Sequence, residues 1–463
     1  MANLASLSRE ELIEIIATQQ RMIEEQQGQI AKLREEIEQL RRGGKRQAAP
    51  FSKGKHIENP KPPGRKPGQG PFTRRAAPLG ETTETIIVPA LESCPHCGGD
   101  LEQEREEVAT TTDLAILPRP VITAYRVAVC RCRRCGKAVR GSTPGLAPDQ
   151  TGATAHRVGP GVMAAAHMLH YAVGIPVRKV PAVLSELTGV SLTQGAITQD
   201  AMRRAAGRVG AAYQELRERV REAPVVHTDD TGWRMGGRTA FLMGFDTDQS
   251  TVYQIRDRHR NEEVREIIPA GYQGVLVTDR GKSYDAAELA EVDQQKCLAH
   301  LLRNVSEVLE NKEGPARRFG VKLKALLRDG LTLWHARGAL GRDEYRRRSQ
   351  QLDLELTAHL RNRIFRDDDN QKLLNGIGLQ QDRGHLLRFL KMEGVEPTNN
   401  RAERILRPAV IARKVSHCSK NQSGADAFVA FLSITQTARK KAQQTISQAL
   451  RDLFVCPAAN PAR

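Results

Sequence analysis

Aromatic residues are scarce: 10 Phe, 7 Tyr and 2 Trp in 463 residues, or 4% of the chain. A core for a chain this long must therefore be packed by Leu, Ile, Val and Ala, and the apolar fraction of 39% suffices for it. Acid is also in deficit, with 54 Asp and Glu against 71 Lys and Arg, leaving a net charge of +17 and an isoelectric point near 9.7. That imbalance points to a polyanionic partner, of which nucleic acid is the commonest. Long apolar runs are missing: no stretch approaches the roughly 20 residues needed to cross a bilayer, and "MANLASLSREELIEII" lacks the basic-then-apolar order of a signal peptide. A cytoplasmic protein without a membrane partner is expected, and there paired cysteines serve as metal ligands rather than disulfides. The length predicts two to four domains.

Leu12, Ile16, Ile23, Ile30, Leu33, Ile37 and Leu40 fall on the a and d positions of one heptad frame, with Gln19 and Gln26 between them. So narrow a stripe, flanked by Glu, Gln, Arg and Lys, suits a coiled-coil seam and hence a homo-oligomer better than a lone amphipathic helix. From Arg41 to Pro78 eleven Lys and Arg face a single acid, Glu58, and the Gly and Pro content supports no core. Within this basic linker "PPGRKPGQG" is similar to an AT-hook, which would lay Arg65 and Lys66 in an A·T minor groove; a plain phosphate-neutralising linker stays open beside it. Two CxxC knuckles follow, Cys94 with Cys97 and Cys132 with Cys135, and four thiolates complete a structural Zn²⁺ shell with no open position. The 34 residues between the knuckles exceed the usual ribbon spacing, and a hairpin of "TTTDLAILP" and "VITAYRVAV" is expected to absorb them; Cys130 and His96 are spare ligands.

Residues 157–220 read as helices. "VPAVLSELTGV" followed by "SLTQGAITQDAMRRA" has helix-turn-helix form, with Gly189 at the turn and Ser191 as N-cap, although an ordinary helical hairpin fits equally. Beyond Pro224 come short strands, "PVVHTD", "TAFLMGFD" and "TVYQIR", then a helix "NEEVREII" and an apolar strand "GVLVTD". This β-β-β-α-β order is the one used by ribonuclease-H-like nucleotidyl transferases, and an Asp closes the first and last strands. Phosphodiester chemistry at neutral pH calls for two divalent ions about 4 Å apart, held by carboxylates on neighbouring strand tips. Asp229 and Asp279 occupy such places, with a turn expected directly after Asp230. "EPTNNRAERILRP" supplies a third acid, Glu403, on a helix that Asn399 and Asn400 can cap, with Arg401, Arg404 and Arg407 available for phosphates; Glu396, ahead of the helix, is the weaker choice. "QKCLAHLLRNV" reads as a strand running into a helix, and His300 within it is either beside the metal site or a satisfied core histidine, while Trp233 is assigned to packing. Each acid also has a bland reading, as a strand-ending turn residue or, for Glu403, an ion pair with Arg407.

At "HTDDTGWR", "GVLVTDRGKSYD", "QKCLAHLLRNV", "NNRAERILRP" and "RKVSHCSKNQSGA" the chain resembles the DDE transposases of the insertion sequence 66 family. The coiled coil, "GRKP" linker and CxxC pairs stand in that family's order, so the resemblance covers most of the chain. It implies Asp229, Asp279 and Glu403 as catalytic ligands of Mg²⁺ or Mn²⁺, with Asp230 replacing the customary Glu and standing, like His300, behind the ligands. The implied activity is DNA cleavage and strand transfer, with element ends and target DNA as partners, small accessory proteins of the same element, and a bacterial, nucleoid-associated location. Two alternatives are a ribonuclease-H-like nuclease without transposition and a catalytically silent DNA-binding regulator. The expected architecture is multidomain α+β: coiled coil 1–42, linker 43–82, zinc-binding β domain 83–148, helical region 149–222, ribonuclease-H-like core 223–314, helical insertion 315–395, core helices with Glu403 396–455, and tail 456–463.

Overall fold

The computed structural model describes residues 8–10, 13, 16–20, 22–30, 97–99, 119–141, 143, 150, 156–310, 312–441 and 443–455. The chain divides into two compact units, Met1–Thr111 and Thr112–Arg463. In the first, residues 16–20 and 22–30 are helical, and Ile16, Ile23 and Ile30 are about half exposed at heptad spacing. Leu12, Leu33, Ile37 and Leu40 lie outside the described residues, as do Arg65, Lys66, Cys94 and His96.

The second unit opens with a small hairpin, β1 (Val129–Arg131) paired antiparallel with β2 (Ala138–Arg140). Of the expected hairpin, residues 110–118 lie outside the described residues, while 119–128 form no strand and β1 pairs forward across the Cys132 knuckle with β2. The reason is local. Gly136, at φ 68°, lets its N–H reach Cys132 O at 2.9 Å, while Cys132 N–H reaches Lys137 O at 2.8 Å, so the knuckle itself is the hairpin turn.

Helices α1 (Pro160–His167), α2 (Val180–Thr188), α3 (Gln194–Ala205) and α4 (Arg208–Arg221) follow. Gly189 ends α2 in the left-handed conformation at φ 73°, as its place in the turn suggests. The cap of α3 is Thr193, whose Oγ1 accepts from Ala196 N at 3.1 Å, and not Ser191, which stands two residues too early to reach that amide.

A five-stranded sheet in the order β5-β4-β3-β6-β7 forms the centre. Its strands are β3 (Val225–Met235), β4 (Arg238–Asp246), β5 (Thr251–Arg256), β6 (Val275–Thr278) and β7 (Gln294–Lys296), and the short helix α5 (Asn261–Arg265) lies between β5 and β6. β3, β4 and β5 are antiparallel neighbours, while β3, β6 and β7 run parallel. β3 is longer than the sequence suggests: no turn follows Asp230, and the chain reverses only at Gly236 and Gly237, whose φ values of 56° and 82° suit a two-residue hairpin loop. The pairing continues through Gly232 because β4 offers a partner at every position up to Arg238.

Period-two alternation divides the sheet between two cores. Val275 and Val277 pack with leucines of α6 (Leu298–Glu310), α7 (Gly314–His335), α8 (Arg342–Leu360) and α9 (Asp368–Asp382), along with the short α10 (Arg388–Lys391). The inserted helices therefore cover part of the sheet instead of standing apart from it. Leu276 and Val226 point into the other core, with Leu406 of α11 (Asn400–Ser416), Phe428 and Phe431 of α12 (Gln422–Ala438) and Leu450 of α13 (Ile446–Phe454). Edge strand β5 is closed by α12, whose Thr437 and Ser433 hydroxyls accept from Thr251 and Tyr253 N–H at 3.0 and 2.9 Å.

Candidate active site

Strand register sets two of the three acids. The parallel pairing of β3 with β6 ends at His227 opposite Val277, and Asp229 and Asp279 each lie two residues further on. They thus emerge from neighbouring strands at the carboxyl end of the parallel pair, where open sheets bind ligands. Asp279 Oδ1 accepts the Gly281 N–H at 2.8 Å, which folds the following loop back beneath it. Asp229 Oδ1 accepts the Asp230 N–H at 2.9 Å.

The third acid is brought in by a backbone clamp. Cys297 N–H bonds Thr278 O at 2.8 Å, Leu298 N–H bonds Pro397 O at 2.9 Å, and the Asn399 N–H bonds Cys297 Sγ at 3.2 Å. Asn399 occupies the N-cap position of α11 without capping it; its fully buried amide instead donates to Thr228 O at 2.7 Å, tying the helix start to β3. Glu403, in the first turn of α11, is then close enough for its charge to act on Asp229. On the sheet, the residue directly across from Asp229 is Gly244, where a Cβ would stand 2.8 Å from Ile405 Cδ1. Its missing side chain lets α11 settle on the face that carries Asp229.

Electrostatics records the proximity. Burial pushes the Asp229 carboxyl up to about 7, and the like charges of Asp230, Asp279 and Glu403 add to the shift. Asp230 is raised too, mainly by burial, with His259 opposing and Asp279 reinforcing. Among the described residues no three His, Cys, Asp or Glu side chains already stand close enough to hold an ion, so the acids are neighbours and not a closed shell.

Two histidines flank them. His300 Nε2 lies 3.8 Å from Glu403 Oε1, and its hydrogen bond with Cys297, against the cost of burial, raises its pKa. The side chain within ion-pair distance of Glu403 is thus His300, and no Arg407–Glu403 ion pair forms among the described residues. His259 Nδ1 lies 3.2 Å from Asp230 Oδ1, with Nε2 3.3 Å from Ser283 Oγ. Nothing in "RDRHRNEE" singles out His259; only the return of the chain after β5 brings it to Asp230. Lys296, fully buried, reaches Gln294 Oε1 at 2.8 Å, Asp285 at 2.9 Å and Thr278 Oγ1 at 3.2 Å, just behind Asp279. It too was not legible, since a lone Lys in a strand ordinarily faces water. His227 is buried, and that burial, with Arg401 nearby, pushes it down to about 4.

The three arginines of α11 part ways. Arg401 is spent internally, on Asp246 at 2.6 Å and Asp248 at 2.5 Å, whereas Arg404 and Arg407 are exposed. Trp233 is buried and stacked on Phe428 with ring centroids 5.1 Å apart, its Nε1 donating to Ser419 Oγ at 3.2 Å. Glu396 precedes the clamp and is half-buried. In the hairpin the Cys132 thiol is held below its ordinary value by N–H groups of Cys135 and Arg134.

The fold is thus a mixed sheet that gathers carboxylates at the ends of its parallel strands, in a chain of net charge +17. Residues 156–427 match the model of the family described as Transposase IS66 family, and the chain belongs to that family. The match begins just before α1, ends in α12, and takes in Asp229, Asp279 and Glu403. No curated protein matches the chain. Among the described residues no helix is long and apolar enough to cross a membrane.

Proposed function

We propose that this chain is a DNA transposase whose ribonuclease-H-like core cuts and joins DNA strands with Asp229, Asp279 and Glu403 as ligands of two Mg²⁺ or Mn²⁺ ions. The observation that carries the reading is the neighbourhood of these acids at the carboxyl end of the parallel pair, where the charges of Asp279 and Glu403 add to the upward push that burial gives Asp229. The strand order, three antiparallel strands followed by two parallel ones, supports the fold reading. The donor set fits hard divalent cations: it offers carboxylate oxygens only, and their mutual repulsion is the kind a cation relieves.

When bound, the ions supply Lewis-acid stabilisation of the attacking and leaving oxygens in an in-line displacement. The chain's own groups prepare that chemistry. Asn399 fixes α11 to β3 so that Glu403 is held in place by a buried bond instead of by its own long side chain. His300 stands beside Glu403, and His259 partners Asp230. No protein nucleophile is required, so Asp279→Asn and Glu403→Gln should each abolish Mn²⁺-dependent nicking of supercoiled DNA while DNA binding persists. Retained nicking or joining by Glu403→Gln would sink its assignment, and anomalous scattering from Mn²⁺ away from the three acids would sink the ligand set.

The two CxxC pairs of the sequence are read as a structural zinc site of Cys94, Cys97, Cys132 and Cys135, supported by the lowered Cys132 thiol. One zinc per chain by elemental analysis, lost in Cys132→Ser, is the expected result. The exposed Ile16, Ile23 and Ile30 support self-association through the N-terminal heptads, as pairing of two DNA ends requires.

A further inference from the structure

Helix α11 has two faces of opposite kind. Ala402, Leu406, Ala409 and Ala412 are buried, whereas Glu403, Arg407, Ile411 and Lys414 form one outward row at i, i+4, i+8 and i+11, with exposed Arg404 beside it. The row starts at the third acid and runs along β3, because further down Arg413 donates to Thr231 Oγ1 at 3.0 Å and to Gly232 O. Arg401 and Arg413 are thus consumed in holding the helix, while Arg404, Arg407 and Lys414 make no ion pair among the described residues. Ile411 is 52% exposed in the middle of the basic row. Its Cγ2 lies 3.7 Å from where a Cβ of Gly174 would stand, which joins the row to the turn after α1, where Val173 is 57% exposed and Arg178 and Lys179 are also exposed.

We infer that this surface is the track on which duplex DNA lies as it leaves the acid cluster, the cations taking phosphates and Ile411 and Val173 taking sugar edges. The inference rests on the transposase reading and adds to it the path of the substrate. From Glu403 to Lys414 the helix rises about 16 Å, the length of about five base pairs. A solvated basic helix would not need large apolar side chains exposed within its row, nor a neighbouring turn that repeats the same pairing of apolar and basic groups.

The test is fluorescence anisotropy of the full chain with a labelled random duplex of about 40 base pairs, over a salt series, for wild type, Arg407→Glu/Lys414→Glu and Arg346→Glu. Arg346 is exposed on α8, and its reversal, half the charge change of the double variant, controls for loss of basic charge outside the row. The double variant should bind about tenfold more weakly near 0.1 M salt, with the log–log salt slope shallower by about 2, and melt like wild type, while Arg346→Glu should change neither. Wild-type slope and affinity in the double variant, or equal losses in Arg346→Glu, would overturn the track. An independent readout separates the underlying reading: if Asp229→Asn leaves Mn²⁺-dependent plasmid nicking intact the reading fails, whereas its loss there alongside an unaffected double variant fails the track alone.

Discussion

Two clusters of buried or half-buried acid stand on the same sheet and are treated in opposite ways. Asp246, at the end of β4, is 2% exposed and fully compensated: Arg401 lies at 2.6 Å, Lys440 at 2.5 Å, and the Thr251 hydroxyl donates to it. Asp200 is handled likewise by His167, Arg203 and Arg204. Asp229 has no such partner among the described residues, and the charges that act on it are those of Asp230, Asp279 and Glu403. Among the described residues no basic side chain pairs with Asp229, and Lys296, the buried cation behind Asp279, is held by Asp285 at 2.9 Å. Ion pairs close structural sites, and an uncompensated carboxylate cluster stays open to a cation from outside.

The contrast breaks most visibly under charge removal. Asp246→Asn should destabilise the fold by about 3–5 kcal/mol, because it strands Lys440 and most of Arg401 in a desolvated place. Asp229→Asn should do the reverse, raising stability by about 2 kcal/mol at pH 8 without added Mg²⁺ or Mn²⁺, after allowance for partial exposure. Urea melts of the two variants decide it, and equal signs would end the comparison.

Titration sharpens the same difference. Because the folded Asp229 carboxyl is pushed up from 3.8 to about 7, the folded chain binds that proton more tightly. The associated stability is fully present below about pH 4 and is lost as pH rises through about 7. Melting temperature without divalent ions should therefore fall between pH 5 and 8 by about 3 °C more in wild type than in Asp229→Asn, and Mg²⁺ should remove most of that difference. A still smaller effect is expected at Gly244→Ala, which forces Ile405 and α11 off the sheet. Nicking should drop about tenfold, or about 1.4 kcal/mol, with binding of duplex DNA unchanged; unaltered nicking would show that the close approach of α11 is dispensable.

Much of the site was legible because the signals are local. Alternation in "PVVHTD" and "GVLVTD" marks two strands, each with an acid at its end, and the Asn-Asn pair marks the start of a helix with Glu403 in its first turn. What failed did so for want of long-range information. The extension of β3 through Gly232 depends on β4, the role of Asn399 depends on Thr228, and the internal use of Arg401 depends on Asp246, 155 residues away. The segment "VITAYRVAV", expected to form one side of a hairpin, enters a strand only at its last residue, Val129, because the knuckle at Cys132 turns the chain so that β1 pairs forward with β2.

By itself the sequence determined the order of the elements, the places of the candidate acids along the chain and the basic net charge, because periodicity and side-chain type are properties of single segments. Only the tertiary structure decided which acids remain uncompensated, which arginines are spent inside the protein, and that His259 and Lys296 belong to the site. Those outcomes depend on distances of a few ångströms between segments far apart in the chain, and Coulomb and hydrogen-bond energies are set by such distances and by burial, which no single segment encodes.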